Sequence, residues 1–218
     1  MSDVIITVRG EHELRVAPER ATISLSVETD GPDRDSVVSG ALSLAAPVRE
    51  SIVQRHDSGT VAEWSSRSID VRADRPWNSE GKQLDPVYRA AVRFTATFSD
   101  VSDMSLWVTE ISAWEGVQIG GVDWHLTPQT ERAVEREVAT QAVGVAVTRA
   151  GAYAEALGLH EVTPLEIADR GLISATASPV QEKALRTAAF DMAGSAPMEF
   201  EGEDIVVSAT VEARFSAR

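Results

Sequence analysis

The sequence contains no cysteine. Disulfide staples, thiolate nucleophiles and thiolate zinc sites are therefore excluded. Basic charge is scarce: 20 Lys and Arg stand against 34 Asp and Glu, for a formal net charge of −14 and a pI near 4.7. Such a surface repels a phosphate backbone and an anionic bilayer alike, so nucleic acid and membrane surfaces are poor partners. The excess charge serves solubility. Long apolar runs are missing too, and nothing approaches the ~20 residues of a membrane helix. The N-terminal MSDVIITVRG has an acidic Asp3, no basic region and only Val4–Ile6 as an apolar core, too short for a signal peptide. The expected compartment is the cytoplasm.

Catalytic signatures are equally scarce. The four histidines, His12, His56, His125 and His160, fall on four different predicted elements or loops and form no HxH, HExxH or HxxxH pair. Asp123 and His125 stand two apart on a predicted strand and so share a side, which reads as a surface polar pair. Glu201, Glu203 and Asp204 read as a solvated turn in a chain this acidic, with a weak divalent-cation site as the alternative. No GxSxG elbow, Walker sequence or GxGxxG occurs; Gly40–Leu44 and Gly194-Ser195 only bring glycine near serine. No catalytic residue, metal ligand or cofactor is assigned.

What is present is an ordinary globular composition, 43% hydrophobic and 25% charged over 218 residues. A chain of this length buries roughly 70% of its unfolded surface without a metal or disulfide. Val4–Val8 reads as a strand, followed by a polar stretch up to Pro18. Ala21–Val27 alternates strictly between apolar and hydroxyl-bearing residues, as a half-buried strand does. Asp33 to about Arg55 has helical spacing, with Val37, Val38, Ala41, Leu44, Val48 and Ile52 on one stripe. Pro47 is expected to kink or divide it. Strands are expected over Val61–Arg72 and Val87–Phe98, joined by the long connection Ala73–Pro86, which exposes Trp77.

A helix after an Asp100 cap carries Met104, Leu106, Trp107 and Ile111 and ends near Gly116. Val117–Leu126 is a strand, with Gly120-Gly121 marking a bulge or a close backbone approach. Thr127 and Pro128 start a long helix that runs to Leu157 and stops at Gly158. Its apolar positions are mostly small: Ala133, Val134, Val138, Ala142, Val145, Ala152 and Ala156. Gly144 and Gly151 mark a candidate bend. Val162–Ala168 is a short strand, and a capping box at Ser178–Gln181 opens a helix to about Met192. Ile205–Phe215 alternates as a final strand.

The fold class expected is α+β. Mostly antiparallel sheets, with N- and C-terminal strands bracketing the chain, pack against two or three helices, one of them long and Ala-rich. The five tryptophans invite attention because large exposed aromatics mark contacts. Trp107 falls on a helix stripe and reads as core; Trp64 and Trp124 lie on strands, Trp114 at a helix end and Trp77 in a loop. Candidate interface or pocket residues are Trp77, Tyr88, Trp107 and Trp124, with a pocket between sheet and helices near the last three.

The order of several short motifs resembles the SIMPL-domain family, a bacterial group of unknown function. The resemblance rests on Val8-Arg9-Gly10-Glu11, then Ala17-Pro18-Glu19-Arg20-Ala21, then Ala150 to Leu159 at the end of the long helix, and Gly202-Glu203-Asp204-Ile205-Val206-Val207. It departs from the family at Glu19, where Asp is common, and at Phe200-Glu201, where Ile and Pro are common. Many members also carry a signal peptide. The resemblance implies an α+β fold and a tendency to form homo-oligomers, and it supplies no catalytic residues. Residues 1–218 thus read as one such domain, built as a single unit or as two closely packed α/β subdomains. The leading functional expectation is a non-enzymatic homo-oligomer acting as a scaffold or stress-related protein. The alternative is a small-molecule binding module, and an enzyme of unknown class ranks last.

Overall fold

The computed structural model describes residues 3–66, 69–173 and 201–218. In chain order the elements are β1 (Val4–Val16), β2 (Arg20–Gly31), α1 (Arg34–Asp57), β3 (Val61–Ser66), β4 (Asp70–Asp74), β5 (Val87–Phe98), α2 (Val101–Ile111), β6 (Val117–His125), α3 (Pro128–Ala156), β7 (Val162–Asp169) and β8 (Ile205–Ala217). The fold is α+β, with two sheets in which every pairing is antiparallel. The expected helix after Ser178 lies outside the described residues. No helix among the described residues is long and apolar enough to cross a membrane. The chain divides into two compact units.

The larger unit holds β2–β6, α1 and α2. Its sheet runs β3-β5-β2-β6, with β4 beside β3 on the same edge of β5. The single strand expected over Val61–Arg72 thus corresponds to two. From Ser66 to Asp70 the register advances four residues while β5 advances three, from Phe94 to Ala91, which offsets β4 from β3. Alternation places Ala21, Ile23, Leu25 and Val27 of β2 and Ala90, Val92, Phe94, Ala96 and Phe98 of β5 in one core. On β6 the register slips opposite Ile23 and Leu25, where Gly120 and Gly121 together face Ser24. A Cβ on Gly120 would lie 2.8 Å from the Ser24 carbonyl, so both the bulge and the close approach are present.

Asp33 caps α1, accepting the Ser36 amide at 2.8 Å. The Ser36 hydroxyl, and then that amide, hold the Asp33 carboxyl below its ordinary range. Asp100 caps α2 in the same way, from Ser102 and Asp103. Contrary to expectation, Pro47 does not divide α1, which continues for 24 residues. Pro47 is exposed, so the carbonyl its ring leaves unbonded faces water, while Ala45 and Val48 on either side are buried in the core. Leu106 is also corrected: it is 70% exposed, one residue off the buried stripe Met104, Trp107, Val108 and Ile111.

The smaller unit sets α3 against a sheet of order β1-β8-β7. β1 is longer than the expected Val4–Val8, because all 13 of its residues pair with β8. Past Val8, Gly10, His12, Leu14 and Val16 alternate with charged Arg9, Glu11, Glu13 and Arg15, a pattern that composition alone reads as polar loop. α3 runs unbroken for 29 residues, about 44 Å. Gly144 and Gly151, the candidate bend positions, lie within this one continuous helix. The helix ends on Gly158 at φ +75°, with Leu159 donating to the Ala154 carbonyl and Gly158 to that of Glu155. These are the paired bonds of a glycine-terminated helix.

The buried row of α3 is Val134, Val138, Ala142, Ala146, Ala150 and Ala154, spaced strictly by four, whereas Ala133, Ala152 and Ala156 are exposed. Such a row forms one inclined ridge on the helix. Where β1 crosses it, a Cβ on Gly10 would lie 1.9 Å from the Ala142 carbonyl oxygen and 2.8 Å from the Ala146 nitrogen. Arg149 donates to the Arg9 carbonyl at 2.6 Å, on the same strand. At the sheet's other end Arg218 bonds Glu161 at 2.7 and 2.9 Å, which lowers the Glu161 carboxyl and raises the Arg218 guanidinium.

Gly144 sits on the exposed side of α3, and a Cβ there would meet nothing within 4 Å. Gly144→Ala is therefore expected to stabilise the protein by about 0.5–1 kcal/mol, through the entropy glycine loses in a helix. The shift in urea midpoint measures it.

Candidate functional site

Two depressions in the larger unit lie on opposite faces of its sheet. The first is a cleft of about 700 Å³ between α1 and the β3–β5 edge. α1 contributes Leu42, Ala45, Ala46 and Arg49, a row at i, i+3, i+4 and i+7 beside its buried stripe. Trp64 of β3, Ile69, and Val92 and Phe94 of β5 complete an apolar wall, with Ser65 and Ser66 at its edge. Arg49 is exposed and has no carboxylate within ion-pair distance among the described residues.

The second, of about 430 Å³, lies over the hydroxyl-bearing face that β2 turns away from the core. Ser24, Ser26, Ser65, Arg93, Thr95, Gln118 and Gly120 line it. Its hydroxyls are partly satisfied by one another: Ser65 and Thr95 lie 2.7 Å apart, and beside them Thr22 and Thr97 lie 2.8 Å apart. Arg93 pairs with Asp70 at 3.6 Å. Neither depression is lined by a histidine or a carboxylate, so neither places a nucleophile beside a base.

The third feature is an arm. Beyond the last β4–β5 pair, Asp74 with Val87, the ladder continues outward: Leu84 donates to the Pro76 carbonyl at 2.8 Å, and Trp77 bridges Gln83. Asn78 locks the tip. Its side-chain oxygen accepts the amides of Glu80 and Lys82 at 3.0 and 2.8 Å, and its own amide donates to the Lys82 carbonyl at 2.9 Å. On this ordered arm Trp77 is 67% exposed and Leu84 46%.

The four aromatic candidates do not gather. Trp77 stands on the arm and Tyr88 is half-buried near its base. Trp107 has no exposed surface; it packs on Phe98 at 5.2 Å and donates its indole N–H to Ser51 Oγ at 3.1 Å. Trp124 is half-buried on β6, against the backbone of Gly202. Tyr88 pairs opposite Gly31 of β2 and Trp124 opposite Ala21. Ten residues of strand, about 33 Å, separate those positions, so one pocket cannot take in both.

The cleft between sheet and helix uses Trp64 and Arg49 instead, which sequence reasoning did not assign to a site. The signal for Arg49 was the row Leu42, Ala45 and Ala46 that it ends on α1, masked by the stronger buried stripe; Trp64 lies on β3, outside that row. The Nδ1 of His125 lies 3.4 Å from the backbone carbonyl oxygen of Asp123. Among the described residues no group of three or more His, Asp or Glu is placed to hold a metal ion.

The chain belongs to the SIMPL family, described as proteins of unknown function (DUF541), whose family model matches residues 6–215. No curated protein matches it.

Proposed function

Starting from that membership, we propose that the protein is a non-catalytic binding scaffold that works by associating with itself. The observation that carries this reading is the ordered arm with Trp77 at its surface. A tryptophan left two-thirds exposed costs hydration free energy in a free monomer, and one on a rigid turn loses little entropy when it is covered. Tryptophan is also among the residues most enriched where binding energy concentrates. Light scattering on the purified chain across a concentration range tests it: the mass rises above 23.4 kDa with concentration. A strict monomer at high concentration would contradict it.

The apolar cleft beside α1 favours a second reading, a small-molecule binding module. Its volume falls within the roughly 300–1,000 Å³ of ligand sites. A ligand there would raise the melting temperature by mass action, and silence across a broad metabolite panel would count against it.

A further inference from the structure

The geometry points to a site for a neutral polyhydroxyl ligand, a sugar or a sugar-like polyol, in the depression over the hydroxyl-bearing face of the larger unit's sheet. It lies on the face opposite the apolar cleft and does not depend on self-association. Strand pairing sets the site out in rows. Ser65 of β3 stands opposite Thr95 of β5, Thr95 opposite Ser24 of β2, and Ser24 opposite the Gly120-Gly121 bulge of β6. This row crosses four strands with no side chain longer than threonine. In the next row Arg93 stands opposite Ser26, and Ser26 opposite Gln118. Two long side chains thus rise beside a floor of short ones, and this hollows out the 430 Å³. That volume lies within the roughly 300–1,000 Å³ of ligand sites. Gly120 keeps one end open: a Cβ there would lie 2.8 Å from the Ser24 carbonyl oxygen and 3.5 Å from the Ser24 Cβ, so any side chain would start out over the floor.

The bonding capacity that converges there is mixed. The Ser24 hydroxyl and the Gln118 side-chain amide make no hydrogen bond among the described residues, so both keep donors and acceptors to offer. Ser65 and Thr95 share one bond, and Ser26 donates to Glu28 at 3.0 Å, which leaves its lone pairs as acceptors. Arg93 adds donors, since its nearest carboxylate, Asp70, stands off at 3.6 Å. A ligand whose own groups are hydroxyls, each a donor and an acceptor, can answer all of these. Charge selects against the alternatives. On the adjoining stretch of the same face Arg72, Arg89 and Arg93 are matched by Glu28, Asp70 and Asp74. On the other side Asp123 stands opposite Thr22. The surroundings therefore carry no excess of positive charge to hold a phosphate or a carboxylate. The floor row itself is uncharged, in a chain that is 25% charged.

Proton–nitrogen correlation spectra of the full, isotope-labelled chain test this. The chain is titrated with a panel of neutral mono- and disaccharides and, separately, with inorganic phosphate and acetate. A sugar of the panel is expected to shift the Gly120, Gly121 and Gln118 amides to saturation. Ser24 and Gln118 are exposed, so Ser24→Ala and Gln118→Ala each remove a bond to the ligand and none within the protein. Unchanged amide positions elsewhere in the spectrum check that the fold is kept. Each substitution is expected to weaken sugar binding about 3- to 10-fold, the worth of one hydrogen bond. A panel in which no sugar moves those amides overturns the inference. Saturable shifts with phosphate or acetate, and with no sugar, overturn the neutral ligand. Sugar binding that both variants leave unchanged overturns the depression as its site.

Discussion

Gly10→Ala is expected to cost the smaller unit at least about 3 kcal/mol, the upper end of what overpacking a core imposes. The added methyl would lie 1.9 Å from the Ala142 carbonyl oxygen and 3.0 Å from its carbon. Those atoms belong to the helix backbone, so no side-chain rotation relieves the overlap. Either α3 withdraws from β1 or the strand buckles. Withdrawal would open the seam where Ala142, Ala146, Ala150 and Ala154 pack against Ile6, Val8, Val211, Ala213 and Phe215. Alanine is too small to bridge a gap once the backbones part, which makes this seam less tolerant than one built from leucine. Hydrogen exchange at the α3 amides reads the effect, and loss of their protection is the expected result. Gly144→Ala is the control, since it adds the same methyl to the open side of the same helix. Equal protection in the two variants would mean that the close approach does not govern the packing.

Trp107→Ala is expected to cost about 3–5 kcal/mol in the larger unit. The ring is wholly buried against Phe98, and the Arg55 guanidinium lies 6.0 Å over it. Arg55 is itself held between Asp103 at 3.6 Å and Glu110 at 3.4 Å, so the tryptophan ties α2 to the last turns of α1. Its indole N–H reaches Ser51 Oγ, which donates onward to the Val48 carbonyl at 2.9 Å. Ser51→Ala removes only that acceptor and leaves a buried donor unpaired, a loss of about 1–3 kcal/mol. Urea denaturation of the two variants separates the contributions. A Ser51→Ala loss as large as that of Trp107→Ala would place the stability in the polar pair and not in ring packing.

Much of this fold was legible in the residues. β2 alternates cleanly because one of its faces is buried, and α3 announces both of its ends through Thr127, Pro128 and Gly158. The misreadings share a cause, which is that a tertiary partner decided the outcome. The Arg9–Val16 half of β1 carries four charges and extends only because β8 pairs with it throughout. Pro47 and Gly144 are weak points of isolated helices, and each is tolerated on a solvent-facing side. Leu106 differs from Trp107 by one position on the helix, and period alone cannot choose which of two adjacent apolar residues faces in. The cleft was hidden for a different reason. Its walls come from α1, β3, Ile69 and β5, and no local pattern links Arg49 to Trp64. Trp77 was visible as an exposed aromatic, but only the Asn78 hydrogen bonds make its loop an arm.

Self-association through the arm has a direct test in sedimentation velocity across a concentration range. The wild type should sediment faster as its concentration rises, above the rate of a 23.4 kDa monomer, and Trp77→Ser should stay near the monomer's rate. A wild type that sediments as a monomer at every concentration would contradict the account.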